Sequence, residues 1–238
     1  MKFFDLDSPL MQGLNKVADL MFLNLLTLLC CVPVVTAGAS FTALHYVALK
    51  IVRNEECYIA RDFFKSFRRN LRQGTIIWLL MLFLALVLWG DFIILRHADL
   101  EFAGVLRTIL TGIGIVMLFT SMFLFPVLAK FDDTVLRTFK NAFFTSALQF
   151  PKTILMMIMF AVPPVLFFAL PHIIPLIFLF GFSVPAWLSA MLYNKFFLRL
   201  EEQILVRNPG AVTETDPEKD DDRIFKDELE ECLREEPR

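Results

Sequence analysis

Residues 153–193 read TILMMIMFAVPPVLFFALPHIIPLIFLFGFSVPAWLSAMLY. This run contains no Asp, Glu, Lys or Arg, and its one histidine is His172. A helix that crosses the ~30 Å hydrocarbon core of a bilayer needs about 20 consecutive apolar residues, because each residue rises ~1.5 Å. The run is 41 residues long. It is therefore long enough for two membrane-spanning helices.

The middle of this run carries the signal for a turn. Residues 171–175 contain two prolines around His172, and such a cluster favours a tight connection between helices. We therefore predict spans at 153–170 and 173–193. A single re-entrant segment is the alternative, because prolines inside the run weaken both helices. These prolines are Pro163, Pro164 and Pro185.

The rest of the chain contains three more apolar runs of spanning length, at 17–35, 74–95 and 106–129. Hydrophobic residues make up 57% of the 238 residues and the mean hydropathy is +0.61. Soluble domains usually have an apolar share nearer 45–50%. The predicted fold class is therefore an all-α integral membrane protein with five transmembrane helices and amphipathic helices on the cytoplasmic surface.

The distribution of Lys and Arg predicts how the spans are oriented, since cytoplasmic loops are rich in these residues. The connections 39–73 and 130–152 and the segment after 193 together hold 19 of the 23 basic residues. With five spans, this predicts a multi-pass protein of the cell membrane with its N-terminus outside and its C-terminus in the cytoplasm. The basic residues expected outside are Lys2, Lys16, Arg96 and Arg107.

The segment 59–73 has the clearest amphipathic pattern in the chain. At 100° per residue, its apolar side chains share one arc and its basic side chains lie opposite. Such a helix is expected to lie in the headgroup region of the anionic inner leaflet, or to dock on a partner protein. The apolar arc holds Ile59, Phe63, Phe64, Phe67 and Leu71, and the basic side holds Arg61, Lys65, Arg68, Arg69 and Arg72. The residues predicted to contact lipid or a partner are Phe63, Phe64, Phe67, Arg68, Arg69 and Arg72.

A bend is predicted at 36–40, with Ser40 as the N-cap of a short apolar helix over 41–52. His45 lies on the apolar face of that helix. A single histidine in such a place is more often packed and hydrogen-bonded than a metal or substrate ligand. We interpret it in the first way.

Chemistry inside a membrane needs ionisable groups at membrane depth, and the predicted spans have almost none. Their polar side chains, such as Asn24, are expected to form hydrogen bonds between helices. The four cysteines match no zinc-site or disulfide spacing, and no phosphate loop, zincin motif or nucleophile elbow is present. We therefore expect no catalytic site, no metal, no cofactor and no nucleic-acid partner.

The C-terminal segment 206–238 has a different composition from the membrane domain 1–205. From 214 onward it holds 12 acidic and 5 basic residues and few apolar ones. Chains of this kind bury too little apolar surface to fold alone. The segment is predicted to be an acidic, disordered cytoplasmic tail.

Several segments, in the same order along the chain, resemble the YesL family of bacterial multi-pass membrane proteins. They are 24–40, 43–46, 53–58, 63–73, 125–132 and 140–143. The resemblance covers residues 1 to about 205 and leaves out the acidic tail. It implies a bacterial cytoplasmic-membrane protein with no established activity. Genes of this family commonly lie beside those for carbohydrate ABC importers, so the resemblance also implies a role close to sugar uptake.

These observations lead to two functional hypotheses. The first is an accessory or interaction subunit linked to carbohydrate uptake, with ABC sugar importer subunits or a second copy of the chain as protein partners. The second is a small transporter or permease for a neutral solute, formed by oligomerisation. A membrane enzyme is a third and weaker hypothesis, because acid–base groups are missing from the spans.

Overall fold

The computed structural model describes residues 9–97, 103–131 and 134–207. These ranges form helices joined by short connections, and no strand occurs in them. The helices are α1 (Pro9–Cys31), α2 (Ala37–Arg53), α3 (Ile59–His97), α4 (Ala103–Lys130), α5 (Val135–Leu148), α6 (Phe150–Ala169), α7 (Ile174–Phe180) and α8 (Ser183–Arg207). Two 3-10 turns, Val34–Thr36 and Pro171–Ile173, precede α2 and α7. The acidic tail from 208 onward lies outside the described residues.

Five helical segments of the described chain are long and apolar enough to cross a membrane. They are Gly13–Cys31, Val34–Arg53, Ile59–Arg96, Gly104–Lys130 and Phe150–Ala169. A sixth crossing is formed if α7 and α8, which meet at a bend of 46°, count as one broken span. The predicted fold class, an all-α protein with five helices able to span a bilayer, is confirmed.

The first three helices run antiparallel and are joined by polar contacts at both ends. Near one end, the Ser40 hydroxyl donates to the carbonyl oxygen of Thr27 at 3.0 Å, which joins α2 to α1. Near the other end, Lys16 Nζ donates to Asn54 Oδ1 at 2.9 Å. α2 is the most enclosed of the candidate spans: 67% of the most apolar 18 residues within Val34–Arg53 are buried inside the protein.

Two details of α2 correct the sequence predictions. The helix begins at Ala37 rather than at Phe41, so Ser40 lies inside its first turn and is not the N-cap. The Ser40 hydroxyl instead bonds to Thr27 in α1. The predicted short helix 41–52 is thus the inner part of a 17-residue helix that is apolar enough to span a membrane.

The contact between Lys16 and Asn54 corrects the predicted placement of Lys16 relative to the 39–73 connection. Lys16 was expected outside the cell and the 39–73 connection inside, on opposite faces of the membrane. Their side chains are 2.9 Å apart, so both lie at the same end of the α1–α2 pair. The reason is that α2 returns along α1 over its whole length, which the apolar pattern of 17–35 alone does not reveal.

α3 is one continuous helix of 39 residues, with a length of about 58 Å at 1.5 Å per residue. Its first half packs on α2, and its second half packs on α4. The prediction of a separate surface helix at 59–73 is therefore corrected. Because this segment shares one axis with the predicted span 74–95, it cannot lie in the headgroup plane while that span crosses the bilayer.

The second half of α3, residues 78–97, forms an antiparallel pair with α4. At its far end, Arg107 Nη2 donates to the carbonyl oxygen of Leu95 at 3.1 Å. At the inner end, the rings of Trp78 and Phe125 lie 6.3 Å apart. Between them most of the exposed side chains are apolar, as expected for a surface that faces lipid, and the exposed hydroxyls of Thr108 and Thr111 bond to carbonyl oxygens of their own helix.

By its internal contacts the chain divides into two units, Met1–Tyr193 and Asn194–Arg238. The first unit contains α1 to α7 and the first part of α8, and the contacts discussed below lie within it. The described part of the second unit is the end of α8, residues 194–207.

Candidate functional site

The basic segment 59–73 forms the first four turns of α3 and buries one face. Its central contact to α2 is an ion pair between Lys50 Nζ and Asp62 Oδ2, 3.2 Å apart. Farther along the same face, Asn70 Nδ2 donates to the carbonyl oxygen of Ser66 at 3.1 Å. The buried residues of this segment are Ile59, Asp62, Phe63, Ser66 and Asn70.

The opposite face of the segment is exposed and combines basic and apolar side chains. Its members recur every three or four residues, which places them in one stripe along the helix. Phe64 is 44% exposed and Leu71 is 38% exposed. We call this row the basic stripe, and it consists of Arg61, Phe64, Arg68, Leu71 and Arg72.

The six residues predicted to contact lipid or a partner are thus divided by the structure. Phe64, Arg68, Arg69 and Arg72 are exposed, as that prediction requires. Phe63 is fully buried and stacks on the half-buried Phe67 at 6.2 Å between ring centroids. For Phe63 the prediction is corrected. The buried face of the helix includes Asp62, because Lys50 of α2 supplies a charged partner for its carboxylate. The periodicity of 59–73 alone does not reveal that partner.

The turn between α2 and α3 is a compact polar corner. Asn54 adopts a left-handed conformation with φ 53°, which ends α2 and turns the chain. Lys50 Nζ lies 5.6 Å from the ring centroid of Tyr46, and Arg53 Nη1 lies 3.9 Å from Glu55 Oε1. The corner therefore aligns α2 with α3 and places their basic ends side by side.

Cys57 lies in this corner, outside the candidate spans, and its thiol is half-buried. The pKa of the Cys57 thiol is raised to about 12, chiefly by burial and in part by the hydrogen bond and negative charge of Asp62. The neutral thiol is therefore the form present at physiological pH. Such a cysteine has a structural role and is a poor nucleophile.

We expect Cys57 to react slowly with alkylating reagents in the folded protein. At pH 8 the rate should be about 1,000-fold below that of a thiol with the ordinary pKa of 9.0, because the thiolate fraction falls tenfold per unit of pKa. The rate should rise about tenfold per pH unit toward pH 12. Iodoacetamide labelling of a variant with Cys30, Cys31 and Cys232 changed to Ser measures this. Labelling at the ordinary rate, with the protein still folded, would contradict it.

His45 is buried where α2 meets two other helices. Its Nδ1 lies 3.3 Å from the hydroxyl oxygen of Tyr193, and its ring lies 6.0 Å from that of Phe160. It is 4% exposed. The interpretation of His45 as a packed, hydrogen-bonded residue is confirmed. Among the described residues, no three His, Cys, Asp or Glu side chains are grouped so that they could hold a metal ion.

The helix break between α7 and α8 is held by one side chain of α1. Asn24 Nδ2 donates to the carbonyl oxygen of Phe178 at 2.7 Å. Its Oδ1 accepts from the backbone N–H groups of Phe182 and Ser183, each at 2.9 Å. Asn24 is fully buried, so it satisfies three backbone groups that the break leaves without helical partners.

Asn24 was expected from the sequence to form hydrogen bonds between helices, and this is confirmed. Its partners could not be predicted, because they lie 154 to 159 residues further along the chain. The break itself has a weak local signal in Gly181, where a Cβ would lie 2.5 Å from the carbonyl oxygen of Ile177. A single glycine between apolar runs does not distinguish such a break from a packed helix.

The part of the chain that holds the basic stripe and Asn24 matches one protein family. A family model described as "Protein of unknown function, DUF624" matches residues 20–92, which include most of α1, all of α2 and most of α3. No curated protein and no solved structure matches the chain. Over residues 20–92, this multi-pass membrane protein is therefore similar to a family whose function is unknown.

Proposed function

We propose that this protein is an accessory subunit of a membrane assembly and that the basic stripe on α3 is its contact surface. The observation that supports this is that one face of the first four turns of α3 is exposed and both basic and apolar, while the opposite face is buried against the fold. Phe63 and Asn70 are buried against the rest of the fold, so the axis of α3 is held in place. The stripe is then presented without the ordering cost of a flexible loop.

The basic end of the molecule is proposed to face the cytoplasm. Lys16, Lys50, Arg53 and Arg61, the first residue of the basic stripe, lie at the same end of the α1–α2–α3 group, and basic residues favour the cytoplasmic side. The start of α1 then also lies on the cytoplasmic side. Anionic lipid of the inner leaflet attracts each basic group near the surface by about 1 kcal/mol. Lipid headgroups and an acidic partner surface both fit this charge.

The link to carbohydrate uptake rests on family resemblance. The sequence resembles YesL-type proteins, and such proteins are known to carry a DUF624 segment. The partner proposed on this basis is a subunit of an ABC sugar importer. Purification in mild detergent from cells grown on an inducing sugar should recover importer subunits, identified by mass spectrometry. Repeated recovery of the protein without any transport component would argue against this partner.

The basic stripe provides a direct test of the contact surface. Changing Arg68 and Arg72 together to Gln should weaken binding to the importer subunit by about tenfold or more, because two charge-assisted contacts are removed. The matched control is Arg96→Gln, an exposed arginine at the other end of the same helix. Equal affinity for the wild type and the double variant, in the same detergent and salt, would exclude the stripe as the contact.

A second candidate function is supported by the break between α7 and α8. Solute sites in many transporters are formed by discontinuous helices whose freed backbone groups are satisfied inside the protein. The Asn24 contacts have this arrangement. The alternative proposal is therefore a permease for a neutral solute. Flux of neutral solutes into vesicles that contain the purified protein would support it, and flux no faster than in protein-free vesicles would exclude it.

A further inference from the structure

Four buried polar atoms, two on α3 and two in the first turns of α8, have no hydrogen-bond partner among the described residues. They are Thr75 Oγ1, Trp78 Nε1, Ser183 Oγ and Trp187 Nε1. Ser183 is completely buried. Buried polar groups in proteins are almost always paired, and each unpaired one needs a partner such as a water molecule, an ion or a bound molecule. The only other unpaired buried atom in the described ranges is Arg107 Nε.

These four residues lie on two helices, α3 and α8, and the ring of Phe41 on α2 contacts a residue in or beside each pair. Phe41 of α2 has its ring 6.0 Å from the ring of Trp78 and 5.5 Å from that of Phe182, the residue before Ser183. Thr75 and Trp78 are one turn apart on α3, and Ser183 and Trp187 are one turn apart on α8. Phe41 therefore connects the part of α3 that holds Thr75 and Trp78 with the residue that precedes α8.

The chemistry of the four groups restricts what they would bind. An indole N–H only donates, and the Ser and Thr hydroxyls are free to donate as well. No charged residue occurs between Arg72 and Asp91 on α3, or between His172 and Lys195 in the α7–α8 region. A charged molecule would find no counter-charge there and would lose its hydration. The groups fit an uncharged molecule with several acceptor oxygens.

We propose that the α7–α8 break, together with α3, forms a binding site for a neutral polyhydroxyl solute. Hydroxyl oxygens of the solute accept from Trp78, Trp187 and Ser183, and its C–H surface packs on the aromatic cluster around Phe41. Asn24 acts as a positioning residue, since it orients Ser183 through the backbone N–H groups of the break. The site would supply the substrate contacts of the permease proposed above, and its existence does not require transport.

Tryptophan fluorescence can report directly on this site. The chain has three tryptophans, and Trp89, in the second half of α3, is 68% exposed. In a Trp89→Phe background the emission comes from Trp78 and Trp187 alone. Glucose and glycerol are the neutral probes and glucuronate is the charged one. We expect a saturable change with a neutral probe below ~100 mM, a range that covers millimolar dissociation constants, and at least tenfold weaker binding of glucuronate.

Matched variants separate the site from general effects on folding. Ser183→Ala and Thr75→Val should each weaken binding of the neutral probe by about fivefold to tenfold, the loss expected for one hydrogen bond. The controls are Ser189→Ala and Thr120→Val. Both control hydroxyls are buried but already bonded to carbonyl oxygens of their own helices, at 2.7 and 2.8 Å. The controls should bind the probe as the parent does.

Two results would overturn the proposal. The first is the absence of any saturable change with the neutral probes while the protein stays folded, which would mean that water alone completes these groups. The second is a change that persists unaltered in Ser183→Ala and Thr75→Val. Binding without solute flux would leave the site in place and remove the permease function. Flux that is unaffected by the same two variants would separate transport from this site.

Discussion

Replacing Gly38 with alanine is expected to destabilise the folded protein more than any other single methyl addition in the described chain. A Cβ at position 38 would collide with the carbonyl oxygen of Gly74 and lie 2.6 Å from Cβ of Trp78. Both obstacles belong to the rigid part of α3, so α2 and α3 would have to separate. Overpacking of this kind typically costs 1–3 kcal/mol, and backbone contact places it at about 3 kcal/mol or more.

Thermal unfolding in detergent measures this effect. A loss of ~3 kcal/mol corresponds to a Tm lower by roughly 6–12 °C in a chain of this size. The matched control is Gly112→Ala in α4, where an added Cβ meets nothing within 4 Å. Alanine there should leave the Tm unchanged or raise it, because alanine favours helix over glycine by up to about 1 kcal/mol. If both variants unfold at the wild-type temperature, α2 and α3 do not make this close contact.

The Asn24→Ala substitution is expected to have the second large effect. It leaves the N–H groups of Phe182 and Ser183 and the carbonyl group of Phe178 without their partner. Each unsatisfied buried group costs about 1–3 kcal/mol, and water entering the break would recover part of this. We expect a net loss of about 3 kcal/mol or more, with the damage concentrated at the break.

Hydrogen exchange distinguishes this local damage from general unfolding. The amide protons of Phe182 and Ser183 should exchange at least tenfold faster in Asn24→Ala, while the amides of α2 change much less. The control is Asn15→Ala, an exposed asparagine on the same helix, which should alter neither the Tm nor the exchange of these two amides. Unchanged exchange at Phe182 and Ser183 in the Asn24 variant would show that the break does not depend on Asn24.

The same contacts connect the two proposals. Gly74 immediately precedes Thr75 and is one turn before Trp78 on α3. Its close contact with Gly38 therefore sets the distance between Phe41 and the α3 side of the proposed site. A loss of this approach would disturb both the basic stripe and the site at the break. The Ser183 and Arg68/Arg72 variants are therefore the sharper probes, since each alters one surface and leaves the Gly38–Gly74 contact in place.

The amphipathic segment 59–73 shows how far periodicity can be trusted. The sequence correctly predicts that it is a helix with one exposed basic side. It misplaces the buried face, because an isolated helix is expected to bury Phe64 and Leu71 before Asp62. In the fold, Lys50 compensates the charge of Asp62, and Asp62 and Asn70 turn inward while Phe64 and Leu71 stay at the surface. The face that a helix buries depends on the groups that neighbouring helices offer, and here the group is Lys50 of α2.

The sequence by itself determined that lipid surrounds the apolar segments and that these segments are helices. In lipid, an apolar run of 20 residues or more can form all its backbone hydrogen bonds only as a helix. Tertiary structure alone decided that α2 is enclosed, that α3 continues through the expected membrane boundary and that Asn24 holds a break more than 150 residues away. Local hydrophobicity specifies which environment a segment prefers. It does not specify which of several equally apolar segments lies beside it, and that choice depends on close glycine contacts and buried hydrogen bonds.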